Sequence, residues 1–172
     1  DRLTDDEAET MRALPEPHGF VCRLALGTGL RWSELCRAQA SELDGGFLLV
    51  HKTKSGKVRR VPLSRELHAE VRTHVGRLVP FAELSPGSFA RSVRRLARLG
   101  RFHVHQMRHT FACLWIDRGG NLVALQQILG HASVETTQRY ALMSDPMVKR
   151  EAERIAERFG AEAGTADGTG TW

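Results

Sequence analysis

Phe47-Leu48-Leu49-Val50-His51-Lys52-Thr53-Lys54-Ser55-Gly56-Lys57-Val58-Arg59-Arg60-Val61-Pro62-Leu63 is the stretch where the period of the chain changes. Residues 47–50 and 58–63 are short runs rich in β-forming side chains, and they flank Lys54-Ser55-Gly56-Lys57. The arrangement reads as an antiparallel hairpin with a basic tip. On either side the apolar residues recur at helical spacing. The whole chain therefore reads as mainly α with one small antiparallel β-sheet.

Upstream, Leu3-Thr4-Asp5-Asp6-Glu7-Ala8-Glu9 is a helix start. Thr4 can cap, Glu7 completes a capping box, and the acids complement the helix dipole. Pro15 and Pro17 interrupt this helix; a second is expected over 19–26, stopped by Gly27-Thr28-Gly29, and a short one over 32–38. Downstream, Leu67, Val71, Val75 and Leu78 predict a helix over 65–79. Phe89, Val93, Leu96 and Leu99 form the apolar stripe of another, with Arg91, Arg94, Arg95 and Arg98 on its other faces and Arg101 just beyond. Such a charge run is usually only a solvated face, yet its spacing also suits a sugar–phosphate backbone. Further helices are expected over 106–118, 121–129, 134–139 and 146–159. From Gly160 the composition shifts to Gly, Ala, Thr and Asp, so 160–172 reads as a disordered tail behind a single domain of residues 1–159.

The bulk properties narrow the class. An apolar fraction of 41% excludes wholesale disorder, and 172 residues suffice for a buried core. Lys and Arg number 25 against 20 acids, a net +5 that favours a polyanionic partner such as nucleic acid. Cys22, Cys36 and Cys113 are widely spaced, with no CxxC pair for a zinc ribbon or redox couple. Cys22 and Cys113 sit in apolar stretches and read as reduced, buried thiols of a cytoplasmic protein. No apolar run approaches a membrane span, and no signal peptide precedes the domain. A start at Asp1 rather than Met suggests a piece of a longer protein.

The chemistry gathers around a lone phenol. Tyr140 is the only tyrosine, and it ends the run Leu129-Gly130-His131-Ala132-Ser133-Val134-Glu135-Thr136-Thr137-Gln138-Arg139-Tyr140. Arg31 lies in Thr28-Gly29-Leu30-Arg31-Trp32-Ser33-Glu34-Leu35, and Glu34, one turn on, is expected to orient a neighbour. His105 and Arg108, three apart in His105-Gln106-Met107-Arg108-His109, share a helix face and can converge on one ligand. The guanidinium fork matches phosphate oxygens and stays charged at any working pH. His105 and His109 also make an HxxxH spacing. Gln106 stands where an HExxH metalloprotease has its glutamate, and no third ligand is evident, so no metal is expected. Lys54 reads either as a mobile proton donor or as a charged turn residue, and Lys52 and Lys57 beside it leave that choice open.

Considered together, these segments resemble the catalytic domain of the tyrosine recombinases, or phage-type integrases. Residues 28–35 are similar to the family's first arginine box, and 53–63 to its β-hairpin lysine segment. Residues 105–112 resemble the HxLRH box, with Met107 for the usual leucine and Gln106 at an often acidic place; 129–140 resemble the LGH…Y box. The resemblance covers nearly all of the expected domain. It implies the fold of the DNA breaking-rejoining catalytic domains. It also implies attack of Tyr140 on a DNA phosphodiester, leaving a 3′-phosphotyrosyl link and a free 5′-hydroxyl.

By the same resemblance His105 is the base, Arg31 and Arg108 neutralise the phosphorane, His131 donates to a non-bridging oxygen, and Lys54 protonates the leaving 5′-oxygen. Arg91, Arg94, Arg95 and Lys57 are expected to contact DNA. Neither ATP, cofactor nor metal is implied, because transesterification conserves bond energy. The implied partner is double-stranded DNA, bound as a homotetramer on paired sites by a protein that is monomeric without DNA. By the same resemblance relatives carry an N-terminal core-binding domain, which is expected to be absent from residues 1–172. Two rival readings share parts of the pattern: a type IB topoisomerase-like relaxing activity, and a recombinase-derived module that only binds DNA.

Overall fold

The computed structural model describes residues 2–51 and 58–130. Within them the chain runs α1 (Asp5–Arg12), α2 (His18–Thr28), α3 (Trp32–Arg37), a 3₁₀ turn (Ala40–Glu42), β1 (Leu43–Asp44), β2 (Phe47–His51), β3 (Val58–Pro62), α4 (Arg65–Val71), α5 (Pro86–Leu96), α6 (His105–Asp117) and α7 (Leu122–Leu129). The expected helices over 134–139 and 146–159, the tail and the hairpin tip lie outside the described residues.

α2 sits at the centre because it is apolar on nearly every side: Phe20, Val21, Cys22, Leu24, Ala25 and Leu26 are all buried. It packs against α1 and α6. Its one long charged side chain, Arg23, is satisfied by Glu16, Glu70 and the Arg12 carbonyl. α1 begins with the expected capping box, the Thr4 hydroxyl accepting from Glu7 N–H and the Glu7 carboxylate from Thr4 N–H. α2 ends at Gly29, whose φ of 65° is the left-handed cap conformation that glycine adopts without penalty. Two residues later Arg31 is extended and opens α3, its N–H donating to the Glu34 carboxylate at 2.8 Å.

The sheet is antiparallel in the order β1-β2-β3, with Leu48 opposite Val61 and Val50 opposite Arg59. Leu48, Val50 and Val61 face the core, so Arg59, two before Val61, shares its inward face. Arg60 points the other way, over the Phe47 ring and toward Asp44. β1 was not expected; two residues long, it carries too little pattern to read.

Two helix expectations need correction. The helix over 65–79 stops at Val71. The Thr73 hydroxyl donates to the Glu70 carbonyl, Gly76 takes a φ of 73°, and residues 76–78 pair with 38–40 instead, through Ala40 N–H to Gly76 O and Leu78 N–H to Ala38 O. Leu78 is buried by that pairing, whereas Val75 is left 95% exposed. α5 likewise ends at Leu96, which is exposed, and Ala90 and Ala97 complete its buried side. Leu99 packs on the core from beyond the helix, after Arg98 has turned left-handed at φ 54°. Of the cysteines, Cys22 and Cys36 are buried and Cys113 only half so, which corrects its reading as a buried thiol. Burial pushes the Cys22 thiol up to about 12. No helix among the described residues is long and apolar enough to cross a membrane.

Candidate active site

Arg108 is the most buried charged residue of the described fold. It is 3% exposed, so its guanidinium needs partners. Nη1 donates to the Gly29 carbonyl at 2.8 Å and Nη2 to the Leu129 carbonyl at 3.0 Å. It thereby ties the C-terminal ends of α2 and α7, where unpaired carbonyls concentrate negative charge. α6 presents it from one turn inside its N-terminus, and Gln106 steadies that turn by accepting from the His103 N–H at 2.9 Å. This gives Gln106 a cap-like role at its often acidic position. Met107 fills the core at 1% exposure, as a volume-conserving swap for leucine should.

His105 opens α6 on the same side. Burial holds its imidazole below the ordinary range, and the charges of Arg108, His103 and Arg31 push it the same way. Because Arg108 reaches the Gly29 carbonyl, two residues before Arg31, the His105–Arg108 face of α6 meets the arginine turn, although the two segments are more than 70 residues apart in sequence. Arg31 is half exposed, with Nη1 donating to Glu34 Oε1 at 3.1 Å. His109 points elsewhere, with Nε2 3.8 Å from Cys113 Sγ.

Glu34 and Arg59 complete the cluster. Arg59 donates Nη1 and Nη2 to the two Glu34 oxygens, each at 2.8 Å, and Nε to the Ile128 carbonyl at 2.8 Å. Burial alone would raise the Glu34 carboxyl. The Arg59 guanidinium, the Arg31 N–H and the two positive charges outweigh it and hold the group down at about 2. Glu34 thus orients neighbours, as its spacing suggested. Arg59 is not among the residues that a motif singles out. Its signal was there in outline: an arginine at the same strand parity as Val61, hence inward, where a cation requires a partner.

Of the other predicted residues, Arg91, Arg94 and Arg95 are exposed on α5. That helix is seated beside the Arg31 turn by Phe89, whose ring centroid lies 4.9 Å from that of Trp32. Lys54, Lys57, His131 and Tyr140 lie outside the described residues; His131 is the residue directly after the Gly130 cap of α7.

Buried and half-exposed guanidiniums gathered with an imidazole at helix ends are a combination chemically able to hold a phosphate. Residues 1–147 match the model of the phage integrase family, and the chain belongs to that family. It is 34% identical to the tyrosine recombinase XerA of Pyrococcus furiosus over 173 aligned positions, covering 88% of this chain and 60% of the relative. It is 38% identical to the integrase of Haemophilus phage HP1 over 124 positions, covering 72% of this chain and 36% of that protein. The chain therefore spans only part of these relatives. Its fold is that of the tyrosine recombinase catalytic domains. The crystallised catalytic domain of the HP1 integrase superposes with a TM-score of 0.71 at 30% identity, over 88% of this chain and 93% of that one. The XerA crystal structure gives 0.70 at 27% identity, over 90% and 63%.

Proposed function

We propose that the protein breaks and rejoins double-stranded DNA in site-specific recombination, through a 3′-phosphotyrosyl intermediate on Tyr140. The observation that carries this reading is the convergence of Arg31, His105 and Arg108 beside the α7 end from which the His131–Tyr140 segment continues. The naming of relatives as tyrosine recombinase and integrase favours strand exchange over topoisomerase-like relaxation or mere binding.

In this mechanism His105 accepts the phenol proton as the Tyr140 oxygen attacks phosphorus. Its lowered pKa keeps the imidazole neutral, hence able to accept, at neutral pH. The bond from phosphorus to the 5′-oxygen breaks, and Lys54 supplies the proton that this oxygen takes. Arg31, Arg108 and His131 stabilise the charge that grows on the non-bridging oxygens. A second 5′-hydroxyl then attacks the phosphotyrosine, releasing Tyr140 and exchanging the strand. Each step trades one phosphodiester for another, so neither ATP nor a metal is needed. Lys57, Arg91, Arg94 and Arg95 hold the DNA backbone, and the parent protein works as a homotetramer on paired sites.

The test is covalent capture on nicked duplex DNA in EDTA. The wild-type chain is expected to form an adduct, whereas Tyr140→Phe is expected to bind DNA and form none. An adduct with the phenylalanine variant, or cleavage that returns only with Mg²⁺, would overturn the reading.

A further inference from the structure

We infer that Arg59 is a positioning residue of this site: it locks Glu34, and through it Arg31, to the end of α7, and so fixes the residue that precedes His131 in the chain. The inference rests on the recombinase reading above. Arg59 is 12% exposed at its side chain, so its part is played inside the protein.

Three observations carry it. First, all three nitrogens of the guanidinium are engaged at 2.8 Å, two on Glu34 and one on the Ile128 carbonyl. A planar fork grips the carboxylate through two nitrogens while the third reaches the helix end; a lysine carries its donors on one nitrogen and cannot reproduce that bidentate geometry. Second, the α7 cap is fitted to this arginine. A Cβ at Gly130 would come within 3.1–3.2 Å of Arg59 Cδ, Nε and Nη1, so the last residue before His131 lies directly on the guanidinium. With Arg108 on the Leu129 carbonyl and Arg59 on that of Ile128, two successive carbonyls are each held by an arginine. Third, Arg59 governs how much of Arg31 is left for a ligand. Both Glu34 oxygens are taken by Arg59, which leaves the Arg31 guanidinium on one longer contact of 3.1 Å beside the backbone N–H bond of the same residue. Without Arg59 the carboxylate is free to close on Arg31 as a bidentate pair and neutralise it. Arg59 also stands on β3, so one side chain registers the sheet, the arginine turn and α7 against each other.

The experiment first lets the wild-type chain choose its own probe, by covalent capture from a random-sequence library of nicked duplexes. That duplex then measures binding and single-turnover adduct formation for Arg59→Lys, Gly130→Ala, the double variant, Lys54→Ala and Tyr140→Phe. Arg59→Lys should bind DNA as wild type does but form adduct about 10²-fold more slowly, the scale of an ångström-level misplacement. Gly130→Ala crowds the same guanidinium without removing a charge and should share the defect. The double variant should be no worse than Arg59→Lys alone, as for two changes at one joint. A duplex with sulfur at the bridging 5′ position, whose leaving thiolate needs no proton, should restore Lys54→Ala and leave Arg59→Lys slow. Wild-type cleavage by Arg59→Lys overturns the inference, as does restoration by sulfur, or a defect wholly in DNA binding. An adduct with Tyr140→Phe, or none with wild type, overturns instead the recombinase reading beneath it.

Discussion

Glu34 gives up its proton far more readily than a free carboxylate, and that has a consequence for the whole protein's tolerance of acid. Its side chain is 13% exposed, so solvent screens the Arg59 pair only weakly. The folded value of about 2 lies below the ordinary 4.5, so the folded state binds the proton less well than the unfolded one. The resulting stabilisation is fully present above about 4.5 and is lost as pH falls through the folded value. A drop of this size corresponds to about 3 kcal/mol. Urea unfolding of wild type at pH 7 and near pH 2 should differ by about that amount more than unfolding of Glu34→Gln does between the same conditions. Equal pH dependence in the two proteins would show that Glu34 is not held down. At this scale motifs single out Arg31, His105 and Arg108, segments that the fold brings side by side through the Arg108 bond to the Gly29 carbonyl. The sequence was silent on Arg59, whose partners, Glu34 and the Ile128 carbonyl, are 25 and 69 residues away.

Helix ends, more than helix bodies, assemble the site. The left-handed cap at Gly29 turns the chain from α2 into Arg31, and its carbonyl receives Arg108. A Cβ there would stand 2.4 Å from Phe111 Cδ1 and 2.8 Å from Leu129 Cδ2, so α6 and α7 both press on this glycine. Gly29→Ala combines the left-handed penalty with overpacking and is expected to destabilise by about 2–4 kcal/mol. A lowered denaturant midpoint at unchanged slope would register this; a shift within error would mean that the three helices do not meet as described. The same ends mark how far local pattern could be read. Thr4 and Gly29 announce helix ends by chemistry alone, and α2, α3, α6 and α7 fall within two residues or so of expectation. The error over 65–79 arose because Leu67, Val71, Val75 and Leu78 do follow helical spacing. What ended α4 was a pairing of residues 76–78 with 38–40, a long-range contact that no local window contains.

Across the whole molecule, charge is sorted by structure in a way that the net +5 does not reveal. Arg23, Arg59 and Arg108 are consumed internally, by carboxylates and carbonyls. Arg91, Arg94 and Arg95 are instead turned out to solvent along α5, on the side opposite Phe89, Ala90 and Val93. Phe89 sets that helix against Trp32, next to Arg31, so a DNA strand lying over Arg31 would meet α5 as it continues. A solvated face and a phosphate-binding face predict different salt behaviour. Each phosphate contact releases counterions and adds about 0.9 to the slope of log affinity against log salt concentration. If all three arginines contact phosphates, the variant with Arg91, Arg94 and Arg95 changed to Ala should bind duplex DNA with a slope shallower by nearly 3, while its unfolding midpoint stays where it was. Because such contacts carry no sequence information, the loss should be the same on unrelated duplexes. An unchanged slope would make α5 a solvated face, and the +5 would then have to act through Arg31 and residues outside the described fold.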